Sequence, residues 1–329
     1  MLRKTSRLFF WGFNGTAVSP RLKSLLRRYP PAGVILFRRN IVHAKQLRQL
    51  TGALRAVVPN LLIGIDQEGG RVARLRSGFT QYPPASFWGE LYQRAKWREE
   101  FFRSIGRFMG RELRTVGINL DFAPVLDVHS NPKNPIIGDR AFSSDPKVVI
   151  QTAIPFAKGL LEAGVIPCGK HFPGHGDTST DSHKNLPQVS LPPKSLWKRE
   201  LPPFQIAALA KIPALMTAHV LYQKLDPNYP ATLSKIILQK LLRQQLGFKG
   251  VLFSDDLQMR GIADRWSLLE SSLLAFEAGC DLLMICDGME KELETLLPFS
   301  AEIGKSPLLK RRLHESLMRI QRLKGIVPN

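Results

Sequence analysis

Residues 170–187 read KHFPGHGDTSTDSHKNLP, with three histidines (His171, His175, His183) and two aspartates (Asp177, Asp181) in one polar stretch. Side chains of these types suit proton transfer or metal ligation. More of them recur along the chain: Asp66 in IDQEGGRVARLR, Asp121 and Asp127 in LDFAPVLDV, His219 in MTAHV, Asp255 and Asp256 in LFSDDLQM, and Asp287. Singly, each has an ordinary structural explanation. Glu68 and Arg71 suit ion pairs in a turn, Asp127 a turn cap, Asp256 a helix N-cap and His219 a hydrogen-bonded core position. Together they form a set that is costly to desolvate without a function. Zinc ligation by His171 and His175 is disfavoured, because Pro173 and Gly174 break the helix that would put both on one face. No metal and no cofactor is expected.

The elements that must position these groups alternate. Short apolar runs at 8–13, 33–37, 61–66, 117–122, 165–170, 214–219, 250–255 and 281–286 read as strands. Between them lie helical patterns, roughly at 43–57, 91–115, 146–163, 196–209, 233–246 and 267–278. Near-continuous apolar strands separated by helices imply a parallel sheet covered by helices. Eight such units in 329 residues predict an α/β fold, a single (β/α)8 TIM-type barrel filling residues 1–329 as one catalytic domain. A doubly wound open sheet is the alternative, but GFNGT after the first run lacks the spacing of a dinucleotide-binding turn. In a barrel the active site forms at the C-terminal strand ends, where most of the residues above fall.

Composition sets bounds. Hydrophobic residues are 44% and charged residues 22%, as in an ordinary globular protein. No run approaches the ~18 apolar residues of a membrane span. Arg3, Lys4 and Arg7 ahead of LFFWGF resemble the start of an export signal, but the apolar run is short and no cleavage site follows, so a cytoplasmic protein is expected. Cys168, Cys280 and Cys286 sit in apolar runs and read as small buried residues. Lys+Arg exceed Asp+Glu by 47 to 27, a formal charge of +20. The densest basic stretch, about 306–324, reads as an amphipathic helix with a basic outer face. It shows no nucleic-acid-binding signature, so no specific nucleic-acid partner is expected.

IDQEGGRVARL, NLDFAPVLDV, DRAFSSDP, GKHFPGHGDTSTDSH and GVLFSDDLQM, in this order, resemble the β-N-acetylglucosaminidases of glycoside hydrolase family 3, of the NagZ type. The resemblance runs from about Gly33 to Asp287. It implies the barrel already reached from the strand count. It also implies that Asp255 is the nucleophile, that His183 paired with Asp181 is the acid/base, and that Asp66, Arg74, Arg140, Lys170 and His171 hold the terminal N-acetylglucosamine. The family often has Ser where this chain has Ala141. The implied substrate is a muropeptide, N-acetylglucosamine β-1,4-linked to 1,6-anhydro-N-acetylmuramic acid with or without peptide, cleaved by a monomer during peptidoglycan recycling.

The chemistry is self-consistent. Retaining cleavage needs a nucleophile on one face of the sugar and a proton donor for the leaving oxygen, usually two carboxylates. An imidazole titrating near ~6.5 can replace the acid, with a carboxylate to orient it. Phosphorolysis on the same scaffold, giving N-acetylglucosamine 1-phosphate, is one alternative. A degenerate barrel that binds polyanions through its basic surface is another.

Overall fold

The computed structural model describes residues 1–95, 99–180, 182 and 185–327, and of 289–293 the backbone alone. Eight parallel strands close into a barrel. They are β1 (Phe9–Trp11), β2 (Gly33–Leu36), β3 (Leu62–Ile65), β4 (Leu120–Asp121), β5 (Ile166–Phe172), β6 (Ala214–Thr217), β7 (Val251–Asp256) and β8 (Leu282–Ile285). Each follows its predecessor around the ring, and β8 pairs with β1 to close it, Phe9 opposite Leu283. All eight fall on the apolar runs, and most are shorter than the run, β4 by the most. Two extend past theirs: β5 to include His171 and Phe172, and β7 to include Asp256.

The main helices around the barrel are α1 (Pro20–Arg28), α2 (Ala44–Val57), α3 (Glu99–Thr115), α4 (Pro146–Glu162), α5 (Pro202–Leu209), α6 (Ile236–Gln245, wound as a π-helix), α7 (Leu268–Ala278), α8 (Met289–Lys305) and α9 (Pro307–Lys324). The helical patterns at 91–115 and 196–209 each correspond to two helices, with Ala85–Ala95 ahead of α3 and Pro193–Arg199 ahead of α5. In α2, Leu47, Leu50, Thr51 and Leu54 recur at helical spacing and are buried against the barrel. Among the described residues no helix is long and apolar enough to cross a membrane.

Three aromatic rings fill the barrel interior. Phe10 of β1, Phe122 just after β4 and Phe253 of β7 come from non-adjacent strands and meet edge to face, with centroids 5.4–5.6 Å apart. Such contacts add about 0.5–1.5 kcal/mol per pair beyond burial. Neighbouring glycines leave the space: a Cβ on Gly33 would stand 2.2 Å from the Phe10 ring, and one on Gly64 2.8 Å from Phe122. This plug forms the floor under the strand ends.

The basic C-terminal helix differs from its sequence reading in one respect. Lys310, Arg311 and Arg322 are exposed, but Arg312 and Arg319 turn inward. Both reach Oδ1 of Asp281, at 3.0 and 3.1 Å, and Arg243 of α6 reaches Oδ2 at 2.8 Å. Asp281 immediately precedes β8 and its side chain is completely buried. Part of the apparent outer charge of α9 is therefore an internal clamp, because one buried carboxylate needs several donors.

Candidate active site

Six of the expected site residues meet in one cleft. Asp66, Arg74, Arg140, Lys170, His171 and Asp255 all line it, with Glu68, His175 and Ser182 beside them. Asp181 and His183 lie outside the described residues. Asp287, though at the end of β8, is exposed and does not line the cleft.

Asp66 directly follows β3. A hairpin of Gln67–Gly69 against Val72–Ala73 then reverses the chain at Gly69 and Gly70, whose φ values of 100° and 55° favour glycine. The reversal returns Arg74 over Asp66, with Nη2 2.9 Å from Oδ2. Lys170 of β5 places Nζ 2.9 Å from Asp66 Oδ1 and 2.6 Å from Glu68 Oε1. Arg140, from the single turn Gly138–Arg140, donates to both oxygens of Glu68 at 2.8 Å. Glu68 is thus no turn ion pair but the bridge between Lys170 of β5 and Arg140 of the turn. Arg71 is the residue that makes the surface pair, 2.7 Å from Asp139.

The network stays ionised at neutral pH. Burial alone would raise the Asp66 carboxyl, but Lys170 and Arg74 outweigh it and hold it well below its usual range. Glu68 is buried as well, and Arg140 and Lys170 bring it down to about 2. Burial lowers Lys170, yet Asp66 and Glu68 more than compensate and hold it above its ordinary value. Arg74 Nε has no hydrogen-bond partner among the described residues. Fixed carboxylates and cations of this kind offer acceptors and donors to the hydroxyls of a sugar, and a buried unpartnered donor gains from such a ligand.

Both strands that carry reactive groups bulge where those groups sit. Along β7 the register with β8 passes from Phe253–Leu282 to Asp256–Met284, so β7 carries one extra residue beside Asp255. Along β5 the register with β6 passes from Gly169–Leu215 to Phe172–Thr217, with Lys170 and His171 between. Bulges re-aim side chains and recur next to active sites. Asp255 accepts a hydrogen bond from the Asp256 N–H at 2.8 Å. Asp256 itself is partly buried, and burial with the Asp255 charge nearby raises its carboxyl to about 6. It caps no long helix. Its Oδ1 accepts from the N–H groups of Gln258 and Cys286, at 3.1 and 3.2 Å. His219 is buried and lies 2.9 Å from the Asp256 carbonyl through Nε2, so it braces the end of β7.

Asp127 does more than cap a turn. Its Oδ1 accepts from the backbone N–H of His171 at 3.1 Å and of His175 at 2.7 Å, and its Oδ2 lies 2.6 Å from His171 Nδ1. His171 Nε2 is then the ring nitrogen left for a ligand. Asn134 ties the two loops together. Its Nδ2 donates to the carbonyls of His175 and Gly176, and its Oδ1 accepts from Ile136 and Ile137 ahead of Arg140.

Sequence reasoning alone missed the parts played by Glu68, Asp127 and Asn134. Glu68 left a signal, since residues two apart on an extended chain share a side and Asp66 was already singled out. Asp127 and Asn134 left none for the loop they hold, because His171, His175 and Gly176 are more than 40 residues away. Among the described residues no group of three or more His, Cys, Asp or Glu is placed to hold a metal ion.

A family model described as the glycosyl hydrolase family 3 N-terminal domain matches residues 6–323. The chain is similar to a β-hexosaminidase of Neisseria meningitidis serogroup C, 42% identical over 78% of this chain and 71% of that one. It is also similar to a β-hexosaminidase of Alkalilimnicola ehrlichii, 41% identical over 85% and 80%. Among solved structures, NagZ from Neisseria gonorrhoeae in complex with N-trifluoroacetyl-D-glucosamine aligns with a TM-score of 0.82 at 33% identity, covering 97% of this chain and 96% of that one. A family 3 β-N-acetylglucosaminidase from Paenibacillus sp. aligns at 0.93 and 36%. There the match covers 99% of this chain but 62% of the other, so this chain spans less than two thirds of that relative.

Proposed function

This chain belongs to glycosyl hydrolase family 3 and is a glycoside hydrolase of the β-hexosaminidase kind, and from that premise we propose that it is a retaining exo-β-N-acetylglucosaminidase acting on muropeptides in cytoplasmic peptidoglycan recycling, with the barrel and its basic C-terminal helix as one catalytic domain. One observation supports the reading above the others. Asp255, on a bulged strand end, shares a cleft with the ionised network of Asp66, Glu68, Arg74, Arg140 and Lys170 and with His171.

In this reading the network and His171 hold the terminal sugar by its hydroxyl and N-acetyl groups. Asp255 attacks the anomeric carbon, and the glycosidic bond breaks as a covalent glycosyl-enzyme forms. His183, paired with Asp181, gives its proton to the departing oxygen. The same imidazole then takes a proton from water, which releases N-acetylglucosamine and restores Asp255. Ser182, between the two in sequence, lines the cleft. The muropeptide rests on the sequence resemblance.

The test is hydrolysis of a chromogenic N-acetyl-β-D-glucosaminide beside the matching β-D-glucoside. The wild type is expected to cleave the N-acetyl substrate alone, and Asp255→Ala to cleave neither. Equal cleavage of both sugars, or an active Asp255→Ala, would overturn the assignment.

A further inference from the structure

We propose that His175 is a positioning residue that pins Ser182 at the cleft, and that the proton-transfer step assigned to His183 depends on this pin. The inference rests on the reading of His183 as proton donor.

The hydrogen bonds decide how the pin works. Thr178 donates its single hydroxyl proton to the His175 carbonyl, at 3.0 Å. Its Oγ1 lies 2.9 Å from His175 Nδ1 and must therefore accept there, so the ring carries its proton on Nδ1. That leaves Nε2 as an acceptor, and Ser182 Oγ lies 3.2 Å from it. The Ser182 hydroxyl accordingly donates to His175. The ring stays neutral at physiological pH, because burial, and then the neighbouring His171, lower it to about 4. At its other end His175 is anchored through its backbone N–H, 2.7 Å from the buried carboxylate of Asp127.

Ser182 is held from a second side. Its carbonyl accepts from the Gly261 N–H at 3.1 Å, in the short helix Arg260–Ala263 that follows the strand of Asp255. A Cβ at position 261 would stand 3.0 Å from that carbonyl oxygen, so the approach suits glycine. Ser182 is 3% exposed and His175 2%. His175 after β5 and the short helix after β7 thus grip the residue that separates Asp181 from His183 in the chain.

A residue that positions the proton donor matters in proportion to how much the leaving group needs a proton. The experiment compares kcat/KM for N-acetyl-β-D-glucosaminides with a 2,4-dinitrophenyl and with a methyl leaving group. It uses the wild type, Ser182→Ala, His175→Ala, the double variant and His183→Ala, with thermal unfolding of each. Ser182→Ala, which removes one hydroxyl, is expected to lose on the order of tenfold on the methyl glycoside and about threefold or less on the dinitrophenyl one. His183→Ala should show the same pattern more strongly, and the double variant should fall no further than His175→Ala, since both act through one bond. Equal loss on both substrates, no loss, or additive losses would overturn the pin while leaving the proposed function standing. A wild type inactive on both substrates, or a His183→Ala indifferent to the leaving group, would overturn the underlying reading and the pin with it.

Discussion

At Glu68 two cations converge on one carboxylate, and its side chain is 5% exposed. Removing one partner of a buried ion pair costs about 3–5 kcal/mol, because the remaining charges keep their desolvation without compensation. Glu68→Gln is expected to destabilise the protein by about that amount in urea unfolding at pH 7 and to raise KM, since Lys170 and Arg140 lose their common anchor. The pH dependence follows from its lowered carboxyl. The stabilisation by Glu68 is complete above about pH 4.5, the ordinary value, and disappears as the pH falls towards about 2. The gap between wild type and variant should close over that interval, and a gap that persists at pH 2 would remove Glu68 from this role. Asp66, Lys170, His171 and Asp255 of the cleft were legible one by one as polar groups at strand ends. Their pairing was not: Lys170 and Asp66 are 104 residues apart, and nothing local says which cation meets which carboxylate.

The eight strands were legible because each is a short apolar run between breakers, a pattern that parallel strands buried on both faces require. Bulges left no such mark, since an extra residue in β5 or β7 is defined only against the neighbouring strand. The loop after β5 is set just as non-locally. Gly176 packs so closely on the segment after β4 that a Cβ there would stand 1.6 Å from the Val128 carbonyl oxygen. Gly176→Ala must therefore push the base of this loop away from Val128. Overpacking of this kind costs about 1–3 kcal/mol, and the displacement should reduce kcat/KM well below that of the wild type at a temperature where both are folded. Unchanged kcat/KM at 25 °C would show that the loop base tolerates movement.

At the scale of the whole molecule, the barrel separates its two ends. The C-terminal strand ends carry the cleft, while Asp281, just before β8, gathers Arg243, Arg312 and Arg319 at the opposite end. Burial would raise the Asp281 carboxyl, but the three arginines hold it below its usual range. Asp281→Asn is expected to lower stability by about 3–5 kcal/mol and to leave kcat/KM on an N-acetylglucosaminide within about twofold at 25 °C, because mutations so separated from the site act additively. A large loss of kcat/KM with unchanged unfolding would contradict that separation. The helical periodicity of α9 was visible in sequence, whereas its inward arginines were not, because their partner lies 31–38 residues earlier.

The Asp281 clamp bears on how the chain is made. A ribosome delivers β1 long before β8, and the two must meet for the ring to close. Asp281 emerges just ahead of β8 with Arg243 already out, but Arg312 and Arg319 follow only with α9. A nascent chain held before α9 therefore has its seam strand without two of the three charges that allow Asp281 to be buried. Helix α9 works as a fastener for the seam strand, since it supplies two of the three cations around Asp281.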